Sequence, residues 1–196
     1  MKGNKIKTAI IISGFGSNME SLINYSLKPD SNFEVVLVIS NNQNAAGLKK
    51  AENKNIKNIA INHRDFSSRE EFENKIDQEL KNHNCQIICL AGFMRILTKN
   101  FTDKWLGKMI NIHHSLLPKY KGANAIKQAF DAGEGESGCT VHYVNEKVDD
   151  GQIIAKRSIE IKKNDSLNDV KRKILKEELE IFPLAIAEIT KEMRNE

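Results

Sequence analysis

Apolar residues fall in short blocks separated by amphipathic stretches. Thr8 to Ile12 is a β-branched run closed by Gly14 and predicts a buried strand. Met19 to Leu27 follows as a helix, with Met19, Leu22, Ile23 and Leu27 on one face. Phe33 to Ile39 predicts a second strand, Ala45 to Asn53 a short helix with Leu48 on its apolar side, and Ile59 to Ile61 a brief third strand. Ser67-Ser68 can cap a helix from Arg69 to Lys81, where Phe72, Ile76 and Leu80 recur every fourth residue. Ile87 to Ala91 is apolar on both faces and predicts a fourth strand. Phe101 to Leu106 reads as helix, Met109 to His113 as a fifth strand and Asn124 to Ala132 as a helix stopped by Gly133. Cys139 to Val144 alternates, Gln152 to Ile161 alternates more weakly, and both predict strands. A long helix from Ser166 to about Glu192 closes the chain, with a kink or break expected at Pro183. Strands alternating with helices predict an α/β protein with a mostly parallel sheet covered on both faces.

The 196 residues suit one domain, and no Gly/Ser/Pro-rich linker or internal repeat divides them. A hydrophobic fraction of 40% and a charged fraction of 29% exclude collagen and wholesale disorder. No apolar run approaches the roughly 20 residues of a membrane helix. The basic start, Met1 to Lys7, is not followed by a proper signal-peptide core and cleavage site, so a cytoplasmic protein is expected. Net charge is +4, a weak pointer to anionic partners that suits a phosphorylated small molecule as well as a nucleic acid. Cys85, Cys89 and Cys139 show neither disulfide-framework nor zinc-site spacing and read as small apolar residues in a reducing compartment.

In such sheets ligands bind outside the carboxyl ends of the strands, so the residues after each strand matter most. Ser13-Gly14-Phe15-Gly16-Ser17-Asn18 follows the first strand. Two glycines and a Ser-Asn pair opening a helix can aim N–H groups at an anion, or simply form a tight turn with an N-cap. Met19 occupies the third-glycine position of a dinucleotide fingerprint, and no Gly-Lys-Ser/Thr follows for a P-loop. What remains is a single-phosphate cradle. Gly92 to Leu97 follows the fourth strand and can clamp a flat ring; on composition alone Phe93, Ile96 and Leu97 read as core.

The fifth strand ends in Asn111-Ile112-His113-His114-Ser115. Positions 111 and 113 share a strand face, so an amide donor and an imidazole stand side by side, fit for oxyanion stabilisation and proton transfer. Adjacent His113 and His114 should point opposite ways, which argues against a shared metal. The acidic loop Asn145 to Gly151 is a solvated turn or the source of a carboxylate that orients His113 and raises its pKa. His63, His83 and His142 have no evident partner.

At these residues the chain closely resembles the phosphoribosylglycinamide formyltransferases, from Ile10 to Pro183. Four segments carry the resemblance: Ile12 to Asn18, Leu90 to Leu97, Asn111 to Pro118 and Val148 to Gly151. It implies a single-domain Rossmann-like formyltransferase fold over residues 1–196, with about seven strands flanked by helices and an antiparallel strand near the C-terminal half. A phosphate-binding half is expected over about 1–100 and a folate-binding, catalytic half over about 101–196. Asn111, His113 and Asp149 match the family's catalytic residues. Gly16, Ser17 and Asn18 match its substrate-phosphate loop, and Leu175, Lys176, Glu177 and Glu178 a second substrate segment. Arg69, Met94, Arg95, Ile96, Leu97, Asn111, Asn145, Glu146, Lys147, Val148 and Asp149 match positions that hold the folate.

The implied substrates are glycinamide ribonucleotide and the co-substrate 10-formyltetrahydrofolate. No metal, nucleic acid or membrane is expected, and the resemblance leaves monomer or homodimer open. One departure matters. The family usually carries Pro where this chain has His114. His-His-Ser followed by Gly122-Ala123-Asn124 is similar to the related formyltetrahydrofolate deformylase, which hydrolyses the same donor. That relative normally has an N-terminal regulatory domain and lacks the Gly-Ser-Asn loop, so transfer is the stronger expectation. A non-catalytic nucleotide- or RNA-binding module is the remaining alternative; one Trp, three Tyr and interleaved charges suit it poorly.

Overall fold

A computed structural model describes residues 5–195. Met1 to Asn4, part of the stretch read for a leader, lie outside the described residues. Seven strands form one sheet in the order β3-β2-β1-β4-β5-β6-β7. They are β1 (Ile6–Ile12), β2 (Phe33–Ser40), β3 (Asn58–Ala60), β4 (Ile87–Leu90), β5 (Met109–His113), β6 (Glu136–Tyr143) and β7 (Ile153–Glu160). Pairing is parallel from β3 through β5 and antiparallel for β5–β6 and β6–β7. The helices are α1 (Ser17–Ser26), α2 (Ala46–Asn53), α3 (Arg69–Asn82), α4 (Lys99–Lys104), α5 (Ala125–Asp131) and α6 (Leu167–Met193). The chain leaves β1 toward β2 and leaves β4 toward β5, on opposite sides, so the β1/β4 junction is the switch point where a crevice opens.

The strand alternation builds two cores. Ile10 and Ile12 of β1 and Ile110 and Ile112 of β5 pack with Met19, Leu22 and Ile23 of α1 and Val170, Ile174, Phe182 and Ile186 of α6. Ala9 and Ile11 of β1 and Met109 of β5 face the other way, onto Phe72, Ile76 and Leu80 of α3 and Phe101 of α4. Each fully buried aliphatic or aromatic side chain contributes about 1.5–3 kcal/mol.

The helix caps act where expected and shift one boundary. Ser68 accepts from the Glu71 N–H at 3.1 Å and starts α3. Thr98 accepts from the Phe101 N–H at 3.3 Å, so α4 begins at Lys99 rather than at Phe101. β6 begins at Glu136, three residues before the apolar alternation at Cys139, because the ladder with β7 continues through Ser137 and Gly138.

Pro183 neither ends nor interrupts α6, which runs unbroken to Met193. Proline inside a helix costs about 3 kcal/mol. Here Ile181, Phe182, Ala185 and Ile186 around it are all buried against the sheet, and that packing outweighs the lost backbone bond. No described helix is long and apolar enough to cross a membrane. Burial raises the thiol of Cys85 to about 11 and of Cys139 to about 12, and raises Cys89 further, so none offers a thiolate near neutral pH.

Candidate active site

The loop after β1 is pinned by three hydrogen bonds from two segments. The Ser13 N–H donates to the Gly92 carbonyl at 3.1 Å, and the Ser13 hydroxyl accepts from the Met94 N–H at 2.8 Å. The Gly47 N–H donates to the Gly14 carbonyl at 3.0 Å. Gly16 sits at φ 77°, and a Cβ there would lie 2.9 Å from the Gly47 Cα, so both backbone conformation and space demand glycine. α1 starts at Ser17 with no side-chain cap. Its first N–H groups lack intrahelical acceptors and carry the positive end of the helix dipole. Asn18 turns its side chain inward: Nδ2 donates to Glu178 Oε2 on α6 at 2.8 Å, while Oδ1 is buried without a partner among the described residues.

The end of β5 carries the densest chemistry. Asn111 and His113 share the face of Met109, the α3/α4 side of the sheet, as their spacing predicts. The antiparallel register sets His142 opposite Asn111 and Thr140 opposite His113. Asn111 Nδ2 donates to His142 Nε2 at 3.1 Å, and His142 Nδ1 donates to the Tyr143 carbonyl at 2.8 Å. That pair of bonds fixes both the tautomer of His142 and the rotation of the Asn111 amide.

Asp149 closes the group from the β6–β7 loop. Its Oδ2 lies 3.3 Å from His113 Nδ1, and its Oδ1 lies 3.5 Å from His142 Nε2. Oδ2 also accepts the Gly122 N–H at 2.8 Å. Asp149 holds φ 49°, in the left-handed region that aspartate tolerates better than most residues. Gly151 behind it allows the close return of the chain, since a Cβ there would lie 1.7 Å from the Tyr143 carbonyl oxygen. Burial would raise the Asp149 pKa, but His142, the Gly122 N–H and the charge of His113 more than offset it and hold the carboxyl below its ordinary range.

His113 departs from one expectation. Its pKa is lowered, not raised: burial dominates, opposed by the Tyr120 carbonyl and Asp149, and aided by the neighbouring His114 and His142. His113 is 6% exposed, and its Nε2 donates to the Tyr120 carbonyl at 2.8 Å. In this state both ring nitrogens face acceptors, an arrangement only the imidazolium satisfies on both sides. Burial and geometry therefore pull the ring in opposite directions, which poises it to exchange a proton.

His114 follows the strand alternation in its bonding. It turns toward α6, where Nδ1 donates to Glu178 Oε1. Yet β5 ends at His113, and the two rings meet across the strand end, 6.3 Å apart at 29°. Burial would lower the His114 pKa, but its bond to Glu178 raises it above the ordinary 6.5. No group of three His, Cys, Asp or Glu side chains among the described residues is arranged to hold a metal ion.

The remaining residues separate by position. Met94 and Ile96 are 69% and 63% exposed, so Ile96 is not core as composition alone suggested, while Phe93 and Leu97 are partly buried against the α3/α4 side. Arg69 and Arg95 line one pocket of about 230 Å³ with His63, Phe66 and Phe72. Asn145 organises its own loop, accepting the Lys147 N–H at 2.9 Å, and Glu146 lies 3.4 Å from Lys99. Val148 is 46% exposed. Of the α6 segment only Glu178 joins the cluster; Leu175 and Lys176 are exposed and Glu177 is half-buried. His142 is the member of this cluster that sequence reasoning missed. It showed no evident partner in the sequence, because its partner Asn111 is set by a strand register that the sequence does not display.

Residues 6–186 match the formyl transferase family, and the chain belongs to it. A phosphoribosylglycinamide formyltransferase of Haemophilus influenzae is 39% identical over 180 residues, which are 92% of this chain and 85% of that protein. The solved structure of the Brucella melitensis phosphoribosylglycinamide formyltransferase superposes with a TM-score of 0.91 at 38% identity, covering 95% of this chain and 96% of that one. A segment of the chicken (Gallus gallus) trifunctional purine biosynthetic protein adenosine-3 is 46% identical over 183 residues; this chain covers 18% of that protein's length.

Proposed function

We propose that this chain, acting in the cytoplasm, transfers the formyl group of 10-formyltetrahydrofolate to the amine of glycinamide ribonucleotide, a step of purine biosynthesis. The observation that carries the reading is the convergence of Asn111, His113 and Asp149 at the end of β5, beside the glycine loop after β1. The sheet divides the two substrates. The loop of Gly16, Ser17 and Asn18 with Glu178 and the segment from Leu175 form the nucleotide side. Arg69 and Met94 to Leu97, with the loop Asn145 to Asp149, form the folate side, where Arg69 and Arg95 suit the donor's carboxylates and the exposed Met94 and Ile96 suit its flat ring.

The amine attacks the formyl carbon, a carbon–nitrogen bond forms, and the carbonyl oxygen gathers negative charge. Asn111, its amide set by His142, donates to that oxygen, an effect of about 10²–10³ in rate. The Tyr120 carbonyl now accepts from His113 Nε2, so this loop must release that nitrogen before it can exchange a proton with the substrate. His113 takes the proton the amine loses and delivers it to the departing folate nitrogen as the second carbon–nitrogen bond breaks. Asp149 stabilises the imidazolium formed between those steps. No step calls on a metal.

The test is incubation with 10-formyltetrahydrofolate, with and without glycinamide ribonucleotide. Transfer requires tetrahydrofolate release to depend on the nucleotide. Release to water at an equal rate without it would overturn the reading in favour of the deformylase, to which His114 and Gly122-Ala123-Asn124 bear likeness.

A further inference from the structure

The buried carboxylate of Glu178 is covered. Its side chain is 2% exposed, one oxygen is held by Asn18 and the other by His114, whose own side chain is 38% exposed. A ligand approaching from the crevice therefore meets the imidazole before the carboxylate. The Glu178 bond commits Nδ1, and Nε2 has no partner among the described residues. With Nδ1–H donating to a buried carboxylate, the charged form of the ring is favoured, and in that form Nε2–H is presented as a donor. His114 also sits between the two halves of the reaction. Its ring stacks on His113 at 6.3 Å, and through Glu178 it shares a carboxylate with Asn18 of the loop after β1.

We propose that His114 is a substrate-binding residue that donates through Nε2 to a sugar hydroxyl of the phosphorylated substrate, with Glu178 acting behind it as the group that orients and charges it. This rests on the nucleotide reading of the loop at Gly16 to Asn18. The ligand class follows from complementarity. The unpartnered Asn18 Oδ1 is an acceptor and His114 Nε2–H a donor, both tied to the same carboxylate. A hydroxyl, which donates one bond and accepts others, matches that pair; a bare phosphate matches only the donor. A proline at this position has no such donor, so the device belongs to chains with histidine here.

The interaction depends on the His114 proton. The charged groups that face this ring are Glu178 from α6, Asp149 from the β6–β7 loop and, as a competing cation when protonated, His113 on β5; α1 presents only the neutral Asn18. Affinity should therefore be full when His114 is protonated and fall as pH rises through a value above 6.5.

The deciding measurement is calorimetric binding of ribose 5-phosphate to wild type, His114→Ala, His114→Gln and Glu178→Gln across the range from acid to alkaline pH, with nucleotide and donor KM measured alongside. His114→Ala should weaken ribose 5-phosphate binding and raise the nucleotide KM about 10- to 100-fold while moving the donor KM less than about twofold. His114→Gln keeps a neutral donor, so it should restore part of the affinity and remove its fall at high pH. Glu178→Gln should move that fall to lower pH. Unchanged sugar-phosphate binding in both His114 variants, or a pH limb that survives in His114→Gln, would overturn the proposal. If wild type binds ribose 5-phosphate in this way but does not formylate glycinamide ribonucleotide, the reaction reading fails and the role of His114 stands.

Discussion

His113 and His114 are neighbours in sequence, each set against a carboxylate, and they titrate in opposite directions. His113 faces Asp149 at 3.3 Å and has its pKa lowered; His114 donates to Glu178 and has its pKa raised. The difference lies in how each carboxylate meets its ring. Asp149 accepts the Gly122 N–H and acts on His113 through charge alone, which does not offset the burial of that ring. Among the described residues Glu178 is held by the neutral amide of Asn18 and takes a direct hydrogen bond from His114, which together with its charge outweighs the burial of that ring. A carboxylate thus fixes a neighbouring proton when it takes that proton's hydrogen bond directly. One imidazole is set to exchange a proton and the other to favour its charged form, the divergence by which paired titratable groups take separate roles.

The largest test of that contrast is removal of the proton-exchanging ring. His113→Ala should lower kcat by about 10²–10⁴ with the nucleotide KM little changed, measured by steady-state kinetics with both substrates varied. A comparable KM rise without loss of kcat would make the two histidines equivalent. A smaller effect is expected one bond further out. His142→Ala frees the Asn111 amide to rotate and should lower kcat by about 10-fold, chiefly in the chemical step. Single-turnover rates equal to wild type would make His142 a packing residue only.

The smallest effect is the titration itself. In the NMR spectrum of the free protein, His114 should titrate above 6.5 and His113 below it. The sign carries into stability. A raised histidine pKa stabilises the fold fully below the unfolded value of 6.5, and that contribution is lost as pH rises through the folded value. The melting-temperature gap between wild type and His114→Gln should therefore be wider at pH 6 than at pH 9. For Asp149 the order reverses: its lowered pKa stabilises above 3.8 and is lost as pH falls through the folded value. A gap for His114→Gln that widens with rising pH would show that burial dominates there too.

The same contrast explains what was readable in the chain. Asn111 and His113 were legible because a strand repeats every two residues, so their shared face follows from spacing alone. The opposite bonding of His114 follows from the same period. Its stacking on His113 does not, because the strand ends there and the loop decides the angle. His142 was invisible as a partner: it lies 31 positions from Asn111 and meets it through an antiparallel register. Ile96 read as core because hydrophobicity shows that a residue favours burial, not whether its loop has any core to reach.

Local periodicity, glycine placement and capping residues are properties of neighbouring positions, and the chain alone carried them: seven strands, six helices, Ser68 as a cap and a glycine loop at the mouth of α1. The charge states of His113 and His114, the anchoring of Asn111 and the unbroken course of α6 through Pro183 belong to the folded molecule. Each depends on a balance between burial and partners brought from distant segments. Such a balance has no value until the sheet has set its register and the helices have closed over it.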